Sequence, residues 1–271
     1  MYEAHWNLQA RPFENTSDSE FYYPSEAHQG AMLKLRYAVD NHRGAALLTG
    51  GSGLGKTLLV QTLSRQLGEA FTPVVHLVFP QMPADQLVAY LAAELSGGDI
   101  NSDSIHQNVR RLQASLEENA KAGRHAVVIV DEAHLLDDSA SMETLRLLLN
   151  FEFESRPALT LVLVGLPSLL PALARVPEFD ERVSVKCLLR RFTLEESISY
   201  VSHRLNAAGG QRPVFDQAAL EALHHLSHGV PRRLNRLCDL ALLVGFAEER
   251  DRLGAEQIEA VADEMVTVSP E

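Results

Sequence analysis

Cysteine is nearly absent from this sequence. Cys187 and Cys238 are the only two in 271 residues, far apart, with no CxxC spacing and no flanking ligands. That excludes a disulfide scaffold or a cysteine metal site and leaves two buried thiols of a reducing compartment. Lysine is scarce too, at 4 against 20 arginines, and 36 carboxylates outweigh the 24 cations to give a net charge of −12. The deficit is even, −6 over residues 1–192 and −6 over 193–271, so no part of the chain is a charged tail. A field of that sign repels phosphate backbones and argues against a default nucleic-acid binder. With 16 Gly, 12 Pro and no repeat, collagen-like and low-complexity chains are excluded as well.

Long apolar runs are also missing. Residues 157–174 carry no charge, but Pro157, Gly165, Pro167 and Pro171 interrupt them, and only Leu159–Val164 continues unbroken. A short run that ends in Gly-Leu-Pro reads as a buried parallel strand, not a membrane span. The N-terminal MYEAHWNLQARPF lacks the basic-then-apolar pattern of a signal peptide. The expectation is a cytoplasmic protein with no direct membrane insertion.

The chain instead has an alternation of patterns. Strands are predicted at Ala45–Thr49, Pro73–Phe79, Val127–Val130, Leu159–Val164 and Val183–Leu188. Helical spacing falls between them, over 26–41, 56–67, 84–95, 104–121 and 141–153. This order implies an α/β domain with a mostly parallel sheet covered on both faces. After Arg191 only helical patterns remain, over 194–208, 216–227, 231–249 and 255–265. The domain reading is therefore an aromatic-rich lead-in at 1–24, extended on a domain surface, an α/β domain at 25–191 and a helical lid at 192–271.

Gly50-Gly51-Ser52-Gly53-Leu54-Gly55-Lys56-Thr57 fits GxxxxGK[ST] between a strand and a helix. Glycines let backbone N–H groups wrap phosphates, and the helix start adds its dipole. Lys56 then neutralises the β- and γ-phosphates of ATP, and the Thr57 hydroxyl holds Mg²⁺. The third strand ends in Asp131-Glu132-Ala133-His134. Asp131 suits the Mg²⁺ shell, and Glu132 suits a base that polarises a hydrolytic water. His134 reads as a hydrogen-bonding supporter of the acids. The letters also spell a helicase label, but that needs two tandem nucleotide domains, and there is one phosphate loop here. His224 and His228 stand i,i+4 with no third ligand, which does not make a zinc site.

Two arginines extend the candidate site. Arg182, just before the fifth strand, is placed to reach a neighbouring subunit's nucleotide, or else pairs with Asp180 or Glu181. Arg232, after Gly229-Val230-Pro231, is placed to touch the γ-phosphate, or else holds the domain seam.

These residues resemble the AAA+ ATPases of the secretion-pathway component A type and their stand-alone relatives in pilus and exopolysaccharide systems. The likeness runs through Trp6-Asn7-Leu8, Arg11-Pro12-Phe13, Phe21-Tyr22-Tyr23-Pro24-Ser25, His28, LLTGGSGLGKT, VVIVDEAHLL, LRLLLNFE, LVLVGLPSL and HGVPRRLNRLCDLAL. It implies a P-loop sheet in the order 5-1-4-3-2 with a C-terminal all-helical lid. It further implies adenine against the 21–28 segment (Tyr23 and Pro24), Arg182 as an arginine finger in trans, and Arg232 as the lid's sensor. Sites completed between subunits imply a ring or helical homo-oligomer, hexameric in many members, that remodels an unidentified protein partner. The related transposition ATPases imply an alternative, an ATP-switched DNA-binding adaptor, kept open by Arg190-Arg191 and Arg232-Arg233-Arg236. Two departures stand out. Leu166 follows the fourth-strand glycine where members carry a polar residue, so basal turnover should be slow and Leu166→Gln faster. The chain also stops at residue 271, so the envelope attachment of the secretion members does not carry over and would require a partner.

Overall fold

A computed structural model of the chain describes residues 1–15, 19–99, 104–136 and 139–267. It resolves into two compact units, one of residues 27–52 and 59–189, the other of 1–26, 53–58 and the residues from Arg190 onward.

The first unit is built on the predicted alternation. In chain order the elements run α1 (Glu26–Asp40), β1 (Ala45–Gly50), α2 (Lys56–Gln66), β2 (Val74–Leu77), α3 (Ala84–Ser96), α4 (Ile105–Lys121), β3 (Ala126–Val130) and α5 (Ser139–Leu148), with Glu26 and the first residues of α2, 56–58, counted in the second unit. A hairpin of β4 (Glu152–Phe153) and β5 (Arg156–Pro157) follows, then β6 (Leu159–Gly165), α6 (Leu169–Ala174), α7 (Pro177–Asp180) and β7 (Val183–Leu189). The sheet is parallel, in the order β2-β3-β6-β1-β7. Counting only its five strands in chain order, that is 5-1-4-3-2 from the β7 edge. Every residue of β1, β3 and β6 is buried, which is why these strands read as apolar runs without alternation. At the β7 edge Val183, Cys187 and Leu189 face inward and Ser184, Lys186 and Leu188 face out.

The structure departs from the sequence pattern after α5. The helix stops at Leu148, and the hairpin turns on Glu154 and Ser155, both with positive φ (50° and 61°). Two left-handed residues are what a tight two-residue hairpin loop needs, and neither is the glycine or asparagine that would have announced it.

The second unit gathers α8 (Leu194–Ala207), α9 (Gln217–Ser227), α10 (Pro231–Ala247) and α11 (Ala255–Thr267). Thr193 and Glu196 form a reciprocal capping box on α8, Asp216 caps α9, and Pro231 opens α10. The N-terminal segment does not lie extended on a surface. Its Tyr2, Trp6, Leu8 and Phe13 are buried with Leu205, Leu234, Cys238 and Leu242. Trp6 Nε1 donates to the Leu242 carbonyl at 3.0 Å, and buried Arg204 donates to the carbonyls of Pro12 and Glu14. Both cysteines are free and buried, and burial pushes both thiols up. No helix among the described residues is long and apolar enough to cross a membrane.

Candidate nucleotide site

The site begins at the carboxyl ends of the central strands, where open α/β sheets bind ligands. Thr49 pairs with Gly165 and Val130 with Leu163, so β1, β6 and β3 end along one edge. β1 ends at Gly50 and α2 opens at Lys56. Between them Gly53 and Gly55 hold φ of 77° and 85°, left-handed values that a side chain would strain. The first-turn N–H groups of α2 have no intrahelical acceptor and suit an anion. Lys56 is only 7% exposed at this turn, and Thr57 follows it.

Gly53 also meets the helical elements of its own unit. The Arg232 N–H donates to the Gly53 carbonyl at 3.2 Å, and a Cβ on Gly53 would lie 2.8 Å from Arg232 Cβ. The sequence-predicted lid arginine is thus tied by its backbone to the phosphate loop, with its side chain exposed.

At the end of β3, Asp131 is 2% exposed and its Oδ1 accepts the Glu132 N–H at 2.9 Å. Glu132 has φ 50° and ψ 33°, a left-handed conformation that costs a non-glycine residue energy and is concentrated at functional sites. Its carboxylate is 45% exposed, and His134 Nδ1 lies 3.3 Å from Oε2. The same Nδ1 lies 3.4 Å from the backbone N of Leu166. The Leu166 side chain offers no polar atom here, and its backbone N–H meets the His134 ring instead. His76, which the sequence reading passed over, brings Nε2 to 3.6 Å from Asp131 Oδ2, too long for a hydrogen bond. That Nε2 is buried with no hydrogen-bond partner among the described residues. Its one sequence signal was a histidine inside the apolar strand Pro73–Phe79.

The remaining candidates make the following contacts. Tyr23 packs edge-on against Phe192 and Tyr200, 5.7 Å from each, and tilts on His203 at 5.6 Å, as part of an aromatic wall in the helical unit. Pro24 beside it is exposed. Arg182 does not pair with Asp180, whose carboxylate takes Lys186 Nζ at 2.5 Å; its Nη1 donates to the Leu149 carbonyl at 3.1 Å. His224 Nδ1 shares a 2.8 Å hydrogen bond with Ser197 Oγ.

The buried lysine and the left-handed glycines before α2 suit a polyphosphate, and the carboxylate at the tip of β3 is of the hard-oxygen kind that suits a divalent cation.

A family model described as an AAA domain matches residues 39–173. The whole chain is 31% identical, over 274 aligned residues, to General secretion pathway protein A of Aeromonas hydrophila, and spans half of that relative's length. Among solved structures, the Aeropyrum pernix ORC2 protein in its ADPNP-ADP complexes superposes with a TM-score of 0.70 at 16% identity, covering 94% of this chain and 72% of the other. Drosophila ORC bound to DNA gives 0.70 at 16% identity, covering 98% and 66%. At such identity these two likenesses are of fold alone. The AAA-domain match and the whole-chain identity, with the phosphate loop, the acidic strand end and the sheet order, establish that the chain belongs to the AAA+ ATPases and is similar along its whole length to General secretion pathway protein A.

Proposed function

We propose that the chain is a cytoplasmic motor subunit that hydrolyses ATP between neighbouring copies of itself and uses the cycle to assemble or remodel a protein partner of the secretion or pilus type. One observation carries this reading. Arg182 precedes the first residue of β7, and Val183 pairs with Ala45 at the start of β1, whereas the phosphate loop leaves the far end of β1, where Gly50 pairs with Leu189. Five residue steps along β1 separate those ends by roughly 17 Å, beyond the reach of an arginine side chain. Arg182, steadied by the Leu149 carbonyl, therefore suits the nucleotide of a second subunit.

Within one subunit, Gly50–Thr57 cradles the phosphates, Lys56 offsets their charge, and Glu132 orients a water and accepts its proton. Thr57 and Asp131 would hold Mg²⁺, which when bound neutralises charge on the β- and γ-phosphate oxygens. Tyr23 and Pro24 stand on the adenine side, and Arg232 links the γ-phosphate to α10.

A second reading, the DNA-binding adaptor, draws on the exposed Arg232, Arg233 and Arg236 at the start of α10. Against it, Arg190 is engaged by Glu26 and Glu196, and the net charge is −12. Steady-state ATP turnover against protein concentration, with and without duplex DNA at low salt, separates the two. Specific activity that rises with concentration and ignores DNA is the expected result. Stimulation by DNA that fades with salt replaces it with the adaptor reading, and concentration-independent activity removes the shared site.

A further inference from the structure

We propose that His134 is the positioning residue for Glu132, and that it works by offering a single atom, Nδ1, to two partners that cannot both have it. One partner is the Glu132 carboxylate, 3.3 Å away, and the other is the Leu166 N–H, 3.4 Å away. A neutral imidazole carries one ring proton. With that proton on Nε2, the Nδ1 lone pair accepts the Leu166 N–H and turns a negative end toward Glu132, which pushes the carboxylate outward to meet water. With the proton on Nδ1, the ring donates to Glu132 Oε2 and holds it, while the Leu166 N–H loses its acceptor. The two tautomers thus correspond to a released and a held base.

The surroundings are built around this ring. His134 is 15% exposed against 45% for Glu132, so the ring is enclosed by neighbours while the carboxylate reaches solvent. A Cβ on Gly165 would lie 3.1 Å from His134 N and 3.3 Å from Nδ1, so glycine at the end of β6 leaves the space the ring fills. Leu166 contributes only its backbone, which ties the end of β6 to the base through one atom. The left-handed backbone of Glu132 lets a carboxylate two residues past β3 turn back toward a side chain two residues later.

This inference rests on Glu132 acting as the base, and the test separates the two. ATP turnover, nucleotide affinity and thermal unfolding are measured for His134→Leu, His134→Asn, His134→Gln, Glu132→Gln and the Glu132→Gln/His134→Leu pair. Asparagine puts a polar atom at the Nδ1 position, while glutamine puts it one bond farther. His134→Leu should lower kcat by about 10- to 100-fold with nucleotide affinity held, the usual scale for losing a partner that orients a reactive group. His134→Asn should retain most of the turnover, and His134→Gln should fall with His134→Leu. In the Glu132→Gln background His134→Leu should cost nothing more, because residues that act as a unit are non-additive. Asparagine falling as far as leucine, glutamine matching wild type, a loss confined to affinity, or losses that multiply would each overturn the role of His134. Wild-type turnover by Glu132→Gln would overturn the base itself, and this inference with it.

Discussion

The backbone N–H of Arg232 donates to the carbonyl of Gly53 at 3.2 Å, so the first turn of α10 is hydrogen-bonded to the phosphate loop. The contact is close because Gly53 has no Cβ: one placed there would meet Arg232 Cβ at 2.8 Å and Val230 Cγ1 at 3.2 Å. Gly53→Ala is therefore expected to weaken nucleotide affinity and to cost about 1–2 kcal/mol from the left-handed backbone alone. Adding Arg232→Ala should not relieve it, since alanine keeps the same Cβ. Calorimetric nucleotide titration and denaturant unfolding check both statements.

Arg182 in trans makes a mixing prediction. Arg182→Ala keeps its own Glu132, and Glu132→Gln keeps its own Arg182. Each alone should be nearly inactive, and an equimolar mixture should regain measurable ATP turnover. A mixture as inactive as its parts would mean that Arg182 serves no neighbouring site.

Trp6 holds the N-terminal segment in the core of the helical unit. Its ring fills the space above Gly245, where a Cβ would lie 2.8 Å from Trp6 Cζ2, and Nε1 is satisfied by Leu242. Trp6→Ala should destabilise that unit by about 3–5 kcal/mol. Gly245→Ala should destabilise it as well, by overpacking against Trp6 and Leu253. Near-ultraviolet circular dichroism during denaturant unfolding reads the effect, and an unchanged midpoint for Trp6→Ala would contradict the packing described.

His125 predicts an acid sensitivity. It is buried, stacks on His42 at 4.1 Å and shares a 2.9 Å hydrogen bond with Thr160 Oγ1. Burial first, and the neighbouring His42 second, hold its pKa down at about 3. The unfolded chain binds the proton from about pH 6.5 downward while the folded chain refuses it until about pH 3. Stability from this group is intact above 6.5 and is lost as pH falls through that window, by up to roughly 1.4 kcal/mol per pH unit. His125→Gln should flatten the fall relative to wild type in unfolding midpoints measured from pH 7 to pH 4.

Much of this molecule was open to reading from residue order. Apolar runs such as Val127–Val130 and Leu159–Val164 can be stable only as strands buried on both faces, and the Gly50–Thr57 spacing has few uses besides phosphate binding. Those are local requirements, met by neighbours in the chain. The hairpin at Glu152–Pro157 escaped because its turn uses left-handed Glu154 and Ser155, a conformation their side chains do not advertise. Trp6 and its neighbours looked like a surface lead-in because their partners, Leu242 and Leu253, lie more than two hundred residues away. The same holds at the site. Sequence named Glu132 and noted that Leu166 has nothing to offer a water, but the meeting of His134 Nδ1 with both, and of His76 with Asp131, depends on β2, β3 and β6 ending side by side. Periodicity and motif spacing report what a residue requires of its chain neighbours. Which atom of a distant side chain fills a gap is decided only when the strands pair in register.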